Sequence, residues 1–129
     1  SVDMLNVLER AKELILRPGG WGQRVFARDK YGQAVLSRHH TAVKFCAMGA
    51  VQRAAWELAG HGPAFSPDWT IGSYPYCMGF TLEDAFGIPV RELVAFNDRA
   101  DSTVDLVVAL FDRGIAECKM QIEGERGDQ

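Results

Sequence analysis

Residues 41–60 read TAVKFCAMGAVQRAAWELAG, and the way this stretch buries its apolar side chains decides the fold. At about 100° per residue, Val43, Ala47, Val51, Ala54 and Leu58 fall on one stripe, while Phe45, Met48, Trp56 and Ala59 form another on the far side. A helix that is apolar on two faces is buried on both. The spacing predicts a central helix that starts after Thr41 and ends at Gly60, with Gly49, Ala50, Ala54 and Ala55 letting its neighbours approach closely. Arg53 and Glu57, four residues apart, are placed to pair.

Working towards the N-terminus, Trp21 to His40 centres on Val25 and Ala27, then Asp29-Lys30-Tyr31-Gly32, then Ala34 and Leu36. Two short apolar runs about a turn-forming tetrad predict a β-hairpin. A lone hairpin is marginal in water, so Trp21 and Phe26 are expected to anchor it on the helices. Before it, Met4, Leu8, Ala11 and Ile15 recur at helical spacing from Val2 to about Arg17. Pro18, Gly19 and Gly20 stop that helix, since proline cannot continue the backbone ladder.

Towards the C-terminus, His61 to Phe80 holds Pro63, Pro67, Pro75 and three glycines among Phe65, Trp69, Tyr74 and Tyr76. So long a loop is commonly functional, and its aromatics read either as a flap over a ligand or as a plug on an open core. Thr81 with Asp84 resembles a capping box, and Gly87 closes a short helix. Pro89 opens another, with Val90, Leu93 and Val94 on one face up to Phe96. Val104, Val107, Val108, Phe111, Ile115 and Cys118 mark a last helix, for which Asp101 or Ser102 is the expected cap. The expected fold is mainly α, a single domain over residues 1–122 with about four helices and a hairpin between the first two. Residues 123–129 read as a flexible polar tail.

A chain of 129 residues has room for one core. Its 47% apolar and 24% charged residues are those of a globular domain. The net charge of -3 supplies no general basic field, so nucleic acid is disfavoured as the main partner, although a local basic patch is compatible with it. Three cysteines, Cys46, Cys77 and Cys118, form no disulfide framework and suit a cytoplasmic, reduced setting. No apolar run is long enough to span a membrane, and no signal-peptide pattern is present.

Three constellations could carry chemistry. Cys46 with His40 or His39 and with Asn97 or Asp98 supplies the residue types of a thiol nucleophile, its base and an orienting group. With Thr41 as the cap, however, Cys46 falls in the second turn, whereas the helix dipole acts mainly within the first, and a small buried core residue explains it without chemistry. His39, His40, His61, Cys46 and Cys77 have no metal-ligand spacing, since adjacent histidines on an extended segment point apart; neither a metal nor a cofactor is expected. Thr81 to Asn97 superficially suggests a helix-turn-helix, but Glu83, Arg91 and Glu92 give it a mixed charge that suits phosphates poorly. Phe96-Asn97-Asp98-Arg99 reads as a helix junction whose side chains could also reach Trp21. If there is a ligand site, Trp21, His39, Trp69, Tyr74, Tyr76 and Asp98 are its candidate residues.

Trp21-Gly-Gln, Ala27-Arg28-Asp29 with Gly32, Phe45-Cys46-Ala47-Met48-Gly49-Ala50 and Phe96-Asn97-Asp98 form a familiar set. Over most of residues 2–117 the chain resembles a bacterial and phage family of small proteins classed as a domain of unknown function. That resemblance implies no activity, but it groups Trp21, Cys46, Asn97 and Asp98 as a core or a site. The expected role is a non-catalytic binding or accessory protein with a protein or small-molecule partner; the alternative is a thiol-dependent hydrolase or transferase using Cys46, His40 and Asn97. Exposure of a second apolar face at Met48 and Trp56 would make a homodimer.

Overall fold

The computed structural model describes residues 4–58 and 81–127. The loop from His61 to Phe80, with Trp69, Tyr74, Tyr76, His61 and Cys77, lies outside the described residues. Among the described residues the protein is mostly helical, with five helices and one small three-stranded antiparallel sheet. No helix among them is long and apolar enough to cross a membrane.

Helix α1 (Met4–Leu16) buries Met4, Val7, Leu8, Ala11, Leu14 and Ile15, a single stripe at helical spacing. Strands β1 (Ala27–Arg28), β2 (Ala34–Val35) and β3 (Lys44–Phe45) follow, in the order β2-β1-β3. Ala27 pairs with Val35 on one side and with Phe45 on the other. The Asp29 carboxylate holds the β1–β2 turn by accepting from the backbone N–H groups of Tyr31 and Gln33 at 2.9 and 3.0 Å. Helix α2 runs over Ala47–Leu58.

The start of α2 corrects the reading of residues 41–60 as one continuous helix. The N–H of Val43 goes to Arg28 O, that of Phe45 to Gly20 O and that of Cys46 to Phe26 O. These donors complete the sheet and are not available to a helical ladder. Val43 is consequently exposed, while Ala47, Met48, Gly49, Ala50, Val51, Ala54 and Ala55 are buried. The small residues do permit close approach: a Cβ at Gly49 would stand 1.8 Å from the Phe26 carbonyl oxygen, so β1 is laid directly on α2.

Helix α3 (Leu82–Phe86) starts with the expected box: Thr81 Oγ1 accepts from Asp84 N, and the Asp84 carboxylate accepts from Thr81 N. Gly87 ends it at a φ of 73°, the left-handed region where glycine has no penalty. Helix α4 (Val90–Asp98) takes its first cap from outside itself, because Val90 N donates to the Glu83 carboxylate at 2.7 Å. It carries Asn97 and Asp98 in its last turn, two residues further than the apolar pattern implies.

Helix α5 spans Val104–Gly127 and buries Val107, Phe111, Gly114 and Cys118. Its cap is Thr103, whose Oγ1 accepts from Leu106 N at 3.2 Å. The expected caps have other roles, as Asp101 pairs with Arg99 and the Ser102 hydroxyl donates to Phe96 O. The helix continues past residue 122, where the sequence reading ends the domain. Layering runs α4, α2, α1, α5, α3, each helix packed on the next, so the middle belongs to α1 and not, as the sequence suggests, to the 41–60 segment, whose helix α2 packs between α1 and α4. Phe86 and Phe111 meet edge to face at 5.4 Å where α3 joins α5.

Candidate functional site

Asn97 is wholly buried and is the only buried polar side chain among the described residues. Its position in the last turn of α4 aims the carboxamide at the seam between the sheet and the start of α2. Oδ1 accepts from the Trp21 indole Nε1 at 2.8 Å and from Ala47 N at 2.9 Å. Nδ2 donates to Gly22 O at 3.0 Å and to Asp98 Oδ1 at 3.1 Å. A carboxamide has two acceptor and two donor positions, and here all four are used. Because Ala47 opens α2, the Oδ1 bond also satisfies one of that helix's terminal N–H groups from a distant part of the chain.

The neighbouring groups extend the same lock. Gln23 Nε2 donates to the carbonyls of Asn97 and Arg99, both at 2.9 Å, covering free carbonyls at the end of α4. Asp98 Oδ1 accepts from Arg24 N at 2.8 Å. Arg24 has a φ of 77°, a left-handed conformation that costs a residue with a Cβ about 1 to 2 kcal/mol, and this bond holds it there. Trp21 and Asp98 are half-buried at the rim. Sequence reasoning missed Gly22, Gln23, Arg24 and Ala47, most of which contribute backbone atoms that no residue type advertises.

Cys46 borders this corner and caps α2. Its carbonyl accepts from Ala50 N, and its Sγ accepts from Gly49 N at 3.3 Å. The thiol therefore sits at the helix N-terminus, not in the second turn. Such a position ordinarily acidifies a thiol, yet Cys46 is 3% exposed. Burial pushes its pKa up from about 9 to about 11, assisted by the charge of Asp98 and only partly opposed by the N–H groups of Gly49 and Met48.

His39 and His40 are exposed in the turn between β2 and β3, with their rings stacked at 4.5 Å, not pointing apart. His39 Nδ1 is bonded to Thr41 Oγ1 at 2.7 Å. The turn is held by Arg53, which donates to the carbonyls of Ser37 and His39. Arg53 is in turn neutralised by Glu57, which also receives Arg10. Burial works to raise the Glu57 carboxyl, but the hydrogen bonds from the two arginines outweigh it and hold its pKa below the usual range.

The structure thus brings Trp21, Cys46, Asn97 and Asp98 together, and ties His39 to Thr41. Among the described residues no three His, Cys, Asp or Glu side chains are grouped as a metal would need. A groove of about 560 Å³ between α1 and α5 is lined by Leu16, Ile115 and Ala116 with charges of both signs, of which Lys12 and Asp112 pair with one another. Met48 is wholly buried in the single chain, and Trp56 is half-buried beneath the Arg53 guanidinium at 5.0 Å.

No curated protein and no solved structure matches this chain. One family model does, over residues 1–117, a span that takes in the Asn97 corner and all but the last part of α5. The chain belongs to that family, described as a family of unknown function (DUF6197).

Proposed function

We propose that this protein is a small non-catalytic binding or accessory protein. The observation that carries this reading is the saturation of Asn97: all four of its hydrogen-bonding positions are engaged within the chain. A group so placed has no capacity left to orient a base or a substrate. The raised pKa of Cys46 agrees with this, since the thiolate is the nucleophile and a thiol near 11 is almost entirely protonated at neutral pH.

Iodoacetamide labelling of the native protein as a function of pH, with each cysteine resolved by mass spectrometry, tests the reading. Cys46 is expected to stay unlabelled until the protein unfolds. Labelling with an apparent pKa below about 7 would overturn it in favour of a thiol-dependent hydrolase or transferase. His40 and Asn97 would then be the next residues to substitute.

A further inference from the structure

Side-chain alternation along the strands sends Ala27, Val35 and Phe45 inward. The opposite face carries Phe26, Arg28, Ala34, Leu36 and Lys44. Two features of that face are unfavourable to the isolated fold. Arg28 and Lys44 stand directly across from one another on adjacent strands, and like charges so placed repel. The Arg28 guanidinium donates to Gly32 O at 2.8 Å and Gln23 O at 3.3 Å, bonds that fix it in place without neutralising it. Next to this pair, the same register sets Phe26 beside Leu36, and they are 42% and 60% exposed. Phe26 and Leu36 are two of the eight large apolar residues left exposed among the described residues.

Charge is segregated in the same way. Of the chain's 14 Lys and Arg and 17 Asp and Glu, residues 21–46 hold five and one. Among the described residues Arg10, Lys12, Arg53 and Arg99 have carboxylate partners; none of the five bases of residues 21–46, Arg24, Arg28, Lys30, Arg38 and Lys44, has one, and outside that segment Arg17, Arg91, Arg113 and Lys119 also lack one. The sheet is therefore a small basic and apolar platform on an otherwise acidic protein.

We propose that this face docks an acidic, apolar peptide segment of a partner protein, with a carboxylate between Arg28 and Lys44 and an apolar side chain on Phe26 and Leu36. The proposal rests on the reading of the protein as a binding module. Two residues along a strand span about 6.6 Å, so positions i and i+2 of an extended segment carry the acid and the apolar group at the right separation. A short peptide suits the platform better than a nucleic acid, because the acidic remainder of the surface repels any run of phosphates long enough to leave the patch.

The test is fluorescence anisotropy with a fluorescein-labelled Asp-Ser-Leu-Ser-Asp-Ser-Leu-Ser peptide. The peptide is expected to bind saturably, about tenfold more weakly in about 0.5 M salt than in about 0.05 M. Lys44→Glu and Leu36→Ser are each expected to weaken binding at least about tenfold, the loss of one charge-assisted or well-packed contact. Their circular dichroism and thermal midpoints should stay close to those of the parent. No saturable binding, binding by both variants as tight as the parent's, or tighter binding of a labelled oligothymidylate would each overturn the proposal. These results leave the labelling of Cys46 untouched, so a failed docking surface and a failed accessory role are separately visible.

Discussion

The Asn97 corner and the outer face of the sheet both draw on residues 21–47, the corner adding the end of α4, yet they handle polarity in opposite ways. In the corner, Trp21, Gly22, Asn97 and Ala47 close a set of hydrogen bonds with nothing left over. On the face, Arg28 and Lys44 confront each other without a carboxylate between them, beside exposed Phe26 and Leu36. Residue types that suggest a site are therefore poor guides here. The grouping that looks catalytic is the joint of the fold, and the surface that breaks a local rule of sheet pairing is where a partner gains most.

Perturbing each region should separate the two. The largest effect is expected from Gly49→Leu, which drives side-chain atoms into the Phe26 carbonyl and should cost at least about 3 kcal/mol in urea unfolding. Unchanged stability would mean that β1 does not lie on α2. Asn97→Leu leaves the Trp21 Nε1, Ala47 N and Gly22 O groups without their partner and should cost about 2 to 3 kcal/mol. A cost below about 0.5 kcal/mol, the level of an ordinary surface substitution, would undo the account of the corner.

Cys46 gives a pH-dependent comparison. Its pKa is higher in the folded protein, so the neutral thiol is favoured there; the stabilisation is complete below about 9 and is lost as the pH rises towards about 11. Parent and Cys46→Ala should differ by a stability that declines over this window by up to about 2 to 3 kcal/mol. A difference that does not vary with pH would mean that the thiol is solvated. The smallest effect is of opposite sign: Lys44→Gln relieves the repulsion from Arg28 and should stabilise the fold by about 0.2 to 0.5 kcal/mol. Destabilisation would show that the pair is already compensated within the chain.

Much of the helical frame is legible in the sequence because it rests on periodicity and on caps made by neighbours. The stripe from Met4 to Ile15, the Thr81-Asp84 box and the Val107, Phe111, Cys118 ladder each follow from local rules. Strand β3 does not, since two residues carry no period and Thr41 to Phe45 runs on into a genuine helix. That error also displaced Cys46 from the cap to the second turn. The α5 cap falls on Thr103, one residue past the expected Ser102, and α4 takes its first acceptor from Glu83, seven residues upstream of Val90. In the corner, residue chemistry links Cys46 to Asn97 or Asp98 and the α4 junction to Trp21, and only the resemblance puts all four together. The bonds that join them end largely on the backbone of Gly22, Arg24 and Ala47, whose side chains give no sign of that role.

The carboxamide of Asn97 joins segments 76 and 50 residues away along the chain, at Trp21 and Ala47. Contacts of that span carry a larger loop-closure cost than the local contacts of the helices. The lock is therefore expected to form late in folding. Its removal should leave the refolding rate almost unchanged and appear as faster unfolding, which makes one side chain the governor of how long the folded state lasts.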